Sequence, residues 1–101
     1  MHFSAENAGR TLTLHVSGRM THSDYKEFDT IRQMVDEGGP SRIVFDLSGV
    51  DFMDSSALGM LLIVRDNAMK ASRTVVLQHA HGAVAKLLQI GKLHNYFEVE
   101  E

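Results

Sequence analysis

The chain has 101 residues, with 10 Lys and Arg against 13 Asp and Glu, a formal net charge of −3 and no cysteine. That length suits one domain burying about 60–65% of its unfolded surface, and the missing thiols exclude disulfides, thiolate metal sites and cysteine nucleophiles. The cations, for example Arg10, Lys26, Arg42, Lys70 and Arg73, are scattered rather than striped, which argues against tracking the phosphates of DNA or RNA.

The opening residues, Met1 to Asn7, lack the basic stretch and apolar core of a secretory signal. The longest apolar run, Leu58 to Val64 counting Gly59, falls far short of the ~20 residues a membrane span needs. A soluble, cytoplasmic domain with no membrane association is therefore expected. Met1 to Glu6 is expected to be a short strand, and Asn7-Ala8-Gly9-Arg10 a turn leading into its hairpin partner. From Thr11 to Ser17, Leu12, Leu14 and Val16 alternate with polar residues as in a half-buried strand, which Gly18 is expected to end.

Thr21 with Asp24 three residues on resembles a capping box, and Tyr25, Phe28, Ile31, Met34 and Val35 recur at helical spacing until Gly38-Gly39-Pro40. Arg42 to Leu47 reads as a strand in the middle of a sheet or covered on both faces. A helix begins near Ser55, with Leu58, Leu61 and Leu62 as its core stripe and Arg65 and Met69 on neighbouring turns. Thr74 to Gln78 is a further buried strand. A third helix, about Gly82 to Ile90, buries Val84, Leu87 and Leu88, with Gly91 as its C′ residue, and Phe97 to Val99 adds an edge strand. The order ββαβαβαβ predicts an α/β fold, a mixed sheet with the helices mainly on one face. Ligands and partners of such sheets meet the carboxyl ends of parallel strands, where Ser55 and the loop Gly18 to Ser23 lie.

Asp54-Ser55-Ser56 at the head of the second helix admits two readings. One is a helix N-cap, the commoner use of such residues. The other is a phosphate acceptor, because the first-turn amides lack partners and the macrodipole favours an anion there. Other chemistry is poorly supported. The serines lack the Gly-x-Ser-x-Gly context of a nucleophile elbow, and Ser48-Gly49 is too sparse for a phosphate-cradling loop. His79 and His81 are too few for a metal site without further ligands, so neither metal nor cofactor is expected. His22 is placed to approach Ser55 but equally suits a plain surface position. Met20, Met53 and Met60 offer an adaptable partner surface, with core packing as the other use of Met60.

Read as a unit, the window from Phe45 to Leu61, FDLSGVDFMDSSALGML, resembles the signature of STAS domains, specifically the bacterial anti-sigma factor antagonists. Gly18-Arg19-Met20, and Leu87-Leu88-Gln89-Ile90-Gly91-Lys92-Leu93 with Phe97, are similar to the family's flanking landmarks. The resemblance covers nearly the whole chain and implies one STAS domain over residues 1–101. It implies a non-enzymatic partner-switching protein of signal transduction and transcription regulation. Unphosphorylated, such a protein sequesters an anti-sigma factor or related serine kinase regulator; phosphorylation of Ser55 releases it, and a serine phosphatase reverses the mark. The partner surface implied comprises Thr21, His22, Asp54, Ser55, Ser56, Ala57 and Met60. A constitutive STAS-like subunit of a lipid-transport or sensory complex is the alternative. Two positions depart from the family pattern: Thr21 stands where an acid is common, and Ala57 where a glycine is frequent.

Overall fold

The structure, a computed structural model, describes residues 1–37 and 39–100. Gly38, expected to help stop the first helix, lies outside the described residues. Five strands, β1 (His2–Ala8), β2 (Thr11–Met20), β3 (Arg42–Met53), β4 (Thr74–Gln78) and β5 (Glu98–Glu100), alternate after the first hairpin with α1 (Tyr25–Asp36), α2 (Ser55–Lys70) and α3 (Gly82–Ile90). They form one sheet in the order β1-β2-β3-β4-β5. β1 runs antiparallel to β2, and every later pair is parallel.

Each parallel crossover steps one strand in the same direction, so crossovers of one hand put all three helices on one face. The register shows that face: Leu12 and Leu14 lie beside Ile43 and Phe45, and these beside Val75 and Leu77. These residues form one core with Phe28, Ile31 and Val35 of α1, Ala57, Leu61, Val64 and Ala68 of α2, and Val84 and Leu88 of α3. The opposite face is polar at most positions, for example His15, Asp46, Gln78 and Glu100 in one row. Val44 and Val76 are buried there outside the main core.

Several expected boundaries move. The first strand is shifted to His2–Ala8, and the turn shrinks to Gly9 and Arg10. β2 does not end at Gly18 but continues to Met20, and β3 has 12 residues, running on past Leu47 to Met53. The reason is two register shifts between β2 and β3, one between His15 and Ser17 and one between Gly18 and Arg19. Such bulges break simple alternation. Gly18 takes φ +87° at the second, a conformation with little penalty only for glycine. One residue earlier, opposite Ser17, a Cβ on Gly49 would lie 2.9 Å from Ser17 Cβ, so the strands approach this closely only because Gly49 has none. The paired strands thereby extend to the sheet end that carries the serines.

The helical faces also differ in detail. Tyr25 is 61% exposed rather than part of the apolar stripe of α1. The stripe of α2 is Ala57, Leu61, Val64 and Ala68, with Leu58 and Leu62 half-buried and Met69 exposed. Of the α3 residues, Val84 and Leu88 are buried and Leu87 is half-buried. Gly91 has an ordinary φ of −77°, and the left-handed residue after α3 is Lys92. Phe97 is buried just before β5 rather than within it.

Candidate functional site

β3 ends with buried Met53, and Asp54 follows in an extended conformation (φ −98°, ψ 174°) as the N-cap of α2. Its Oδ1 accepts the Ala57 N–H at 2.8 Å, and its Oδ2 accepts the His22 N–H at 3.1 Å. Its own N–H donates to the Met20 carbonyl at 3.1 Å. One residue therefore fastens the end of β2, the β2–α1 loop and the start of α2 together. The Ala57 N–H is the main cause holding the Asp54 carboxyl below its ordinary value; slight desolvation opposes it and His22 assists. Asp54 is consequently ionised at neutral pH.

Because Asp54 caps the helix, the serines do not. Ser55 occupies the first and Ser56 the second position of α2, both exposed. Four N–H groups at a helix start lack intrahelical partners. Here Asp54 N–H is bound by Met20 and Ala57 N–H by the Asp54 carboxylate, which leaves the N–H groups of the exposed Ser55 and Ser56 without a partner among the described residues. An anion on Ser55 would meet these donors and the positive end of the helix dipole. Among the described residues, no side-chain hydrogen bond joins Ser55 to a base, so the arrangement offers an accessible hydroxyl to a modifying enzyme rather than an activated nucleophile.

The surrounding residues divide by exposure. Thr21 is half-buried and caps the 3-10 turn His22–Asp24: its side chain accepts from Ser23 N–H, and its N–H donates to Asp24 Oδ2 at 2.7 Å. Asp24 is buried and also pairs with the Met1 α-amino group at 2.7 Å. Burial would push its carboxyl up, but the α-amino group and the Thr21 N–H hold it below the usual value. An acid is thus present in this loop, three residues beyond Thr21, but directed inward. His22 is exposed, with Nδ1 3.6 Å from Asp54 Oδ2.

Two expectations about the partner surface are corrected. Ala57, in the first turn of α2, has 0% exposure and packs into the core, so its side chain cannot touch a partner. Met20 and Met53 are likewise buried and are core residues, leaving Met60 as the accessible methionine of the three. Met60 lines a groove of about 390 Å³ between α1 and α2 with Tyr25, Phe28, Asp29, Arg32, Ile63 and Val64. Sequence reasoning missed Tyr25 and Ile63 as surface residues. Spacing within each helix carried no signal for this; the packing of α1 against α2 leaves both at the groove. Among the described residues no group of three or more His, Asp or Glu is arranged to hold a metal ion, and no helix is long and apolar enough to cross a membrane.

Replacing Asp54 by alanine removes the cap and the tether to His22 together. Asp54→Ala is expected to lower the melting temperature by about 4–8 °C. In the parent, the cap is fully present above about pH 3.8 and is lost as pH falls through the lowered folded value. Calorimetry at pH 7 and below pH 3 checks both statements, the difference between variant and parent shrinking in acid.

Comparison with known proteins agrees with this geometry. Residues 3–99 match the family described as Mlab, STAS domain. A STAS-domain containing protein of Pseudomonas aeruginosa is 33% identical over 91 residues, 90% of this chain and 89% of that protein. The anti-sigma F factor antagonist of Lysinibacillus sphaericus is 31% identical over 80 residues, covering 76% of this chain and 68% of its own length. In fold, SpoIIAA in its unphosphorylated form superposes with a TM-score of 0.76 at 19% identity, over 99% of this chain and 88% of that one. The phosphorylated Bacillus form gives a TM-score of 0.75, also at 19% identity, over 97% and 90%. The STAS domain of a SulP transporter from Vibrio cholerae shares the fold as well, with a TM-score of 0.71 and 16% identity over 95% of this chain and 77% of that one. With a mixed five-stranded sheet, three helices on one face and a family match across almost its whole length, the chain belongs to the STAS-domain family and is similar to anti-sigma factor antagonists.

Proposed function

We propose that this protein is an anti-sigma factor antagonist that works as a phosphorylation-controlled binding switch, with Ser55 as the acceptor. In its unphosphorylated form it sequesters an anti-sigma factor or related serine kinase regulator. A kinase, in the simplest arrangement that same partner, adds the phosphate, and a serine phosphatase removes it. The observation that carries this reading is the exposed Ser55 hydroxyl at the first position of α2, relieved of capping by Asp54 and flanked by free amides. The likeness to an anti-sigma F factor antagonist and to a fold solved in a phosphorylated form supports it. The contact surface comprises Thr21, His22, Ser55, Ser56 and Met60, with Asp54 as the residue that holds it together. It is a binding role, with no catalytic residue assigned.

Incubation with the candidate kinase and ATP, followed by peptide mass spectrometry, tests the acceptor. Phosphate on Ser55 is the expected result, and phosphate confined to Ser56 would sink the assignment. A second reading is favoured by the matched family carrying the description Mlab, and by the sharing of the fold with a transporter STAS domain. In that reading the chain is a constitutive subunit of a lipid-transport or sensory complex, and binding is indifferent to the state of Ser55.

A further inference from the structure

The sheet face opposite the helices carries a side-chain cluster that the switch does not use. His15 on β2 stands between two carboxylates: its Nδ1 lies 2.9 Å from Asp46 Oδ2 on β3, and its Nε2 lies 3.0 Å from Glu6 Oε1 on β1. The second oxygen of Asp46 accepts the Ser48 N–H at 3.1 Å and faces His79 Nδ1 at 3.2 Å. A neutral imidazole has one N–H and can donate to only one of two ionised carboxylates. Both contacts of His15 are satisfied together only when the ring is an imidazolium.

The loop after β4 is drawn to the same place. His79 adopts φ +62°, a left-handed conformation disfavoured for a residue with a side chain, and is held by its N–H to the Glu100 carbonyl at 3.0 Å and by its ring to Asp46. Two residues on, His81 Nε2 donates to the Ser48 carbonyl at 2.9 Å. Three imidazoles therefore converge on Asp46 and Ser48, on the strand that continues to Asp54 and Ser55.

We propose that Glu6, His15, Asp46 and His79 form a proton-operated clasp, closed while His15 is charged, that fastens β1 and the loop after β4 to the central strand and lets go of β1 when His15 loses its proton. The neighbouring groups on this face are accounted for. On β1, His2 lies opposite Ser17 and Ser4 opposite His15, and Gln78 of β4 lies beside Asp46. Arg42 of β3 is engaged by Glu98 and Glu100 of β5, and Glu100 also accepts from Gln78 at 2.9 Å. The helices pack on the other face and contribute no charge here.

The direction of the pH response follows from the partners. Glu6 first, then Asp46, raise the proton affinity of His15 above its ordinary value of 6.5. The clasp's contribution is thus complete below about pH 6.5 and lost as pH rises through the raised folded value. Burial would push the Asp46 carboxyl up, but the Ser48 N–H, His15 and His79 hold it well below the usual carboxylate range. Asp46 therefore fails only in strong acid.

NMR on the full chain, following the imidazole resonances and the protection of β1 and β2 amides from pH 6 to 8.5, tests the clasp. His15 is expected to titrate above ~6.5, with β1 protection falling about two- to fivefold across the same transition. His15→Gln should abolish that pH dependence. Glu6→Gln, on an exposed strand, should lower the His15 midpoint. A His15 midpoint at or below that of free histidine, or β1 protection indifferent to its titration, overturns the proposal.

Discussion

Phosphate on Ser55 is expected to weaken binding of the anti-sigma partner by at least about 100-fold, equivalent to about 2.7 kcal/mol, while Ser55→Ala retains full affinity. A phosphoserine carries about −1.5 to −2 charge at pH 7. A unit charge pair at about 6 Å is worth roughly 3 kcal/mol at an effective dielectric of 20. The helix amides and dipole return only about 0.3–1 kcal/mol at an exposed helix end, and Asp54, held ionised by its hydrogen bonds, adds a second negative charge beside the site. Complete conversion from bound to free needs about 5.5 kcal/mol of differential affinity, which a dianion caught in an apolar interface beside Met60 can approach. Titration calorimetry with the parent, its phosphorylated form, Ser55→Ala and Ser55→Glu measures the effect. Ser55→Glu, with one charge instead of two, should fall between the others. Equal affinities for phosphorylated and unphosphorylated protein would leave the constitutive-subunit reading in its place.

The proposed switch does not require the domain to refold. Ser55 is exposed and its hydroxyl holds no side-chain bond among the described residues, so adding phosphate breaks nothing that stabilises the fold. In the proposed switch the signal is carried by the surface that α2 presents, and the position of α2 depends on its buried stripe.

Leu61→Ala is accordingly expected to cost about 2–5 kcal/mol of stability, whereas Leu62→Ala costs about 1 kcal/mol or less. Leu61 has 0% exposure at the middle of the stripe shared with Ala57, Val64 and Ala68, and Leu62 is half-buried on the flank. Truncation at Leu61 opens a void where close-packed neighbours can only partly collapse. Urea denaturation of both variants decides the matter, and equal costs would mean that α2 is rotated from the orientation described. Because the same helix presents Ser55, Leu61→Ala should also reduce the fraction of molecules competent to bind, without changing the affinity of those that remain folded.

The leucine pair also shows how far local pattern reaches. Leu58, Leu61 and Leu62 look equivalent in a helix that is apolar on most sides, and periodicity cannot rank them. The sheet ranks them, because Ala57 and Ala68 are small enough to sit against it and fix which side of α2 faces down. Similarly, Gly18 reads as a strand end because glycine usually interrupts alternation. Pairing with β3 instead absorbs it in a bulge and carries β2 on to Met20. Tyr25 reads as core from its spacing alone, yet the packing of α1 against α2 leaves it at the groove.

The element order, the one-sided placement of the helices, the central strand and the Asp-Ser-Ser start of α2 were determined by the sequence itself. They follow from hydrophobic period, glycine and proline punctuation and the handedness of crossovers, all of which are local or chain-order properties. Tertiary structure alone decided that Asp54 rather than a serine caps α2, that Ala57 points inward, and that His15 stands between Glu6 and Asp46. Two of the deciding contacts, His22 to Asp54 and His15 to Asp46, join residues more than 30 positions apart. No periodicity within one element encodes such a pairing, because it exists only once the register of neighbouring strands has been set.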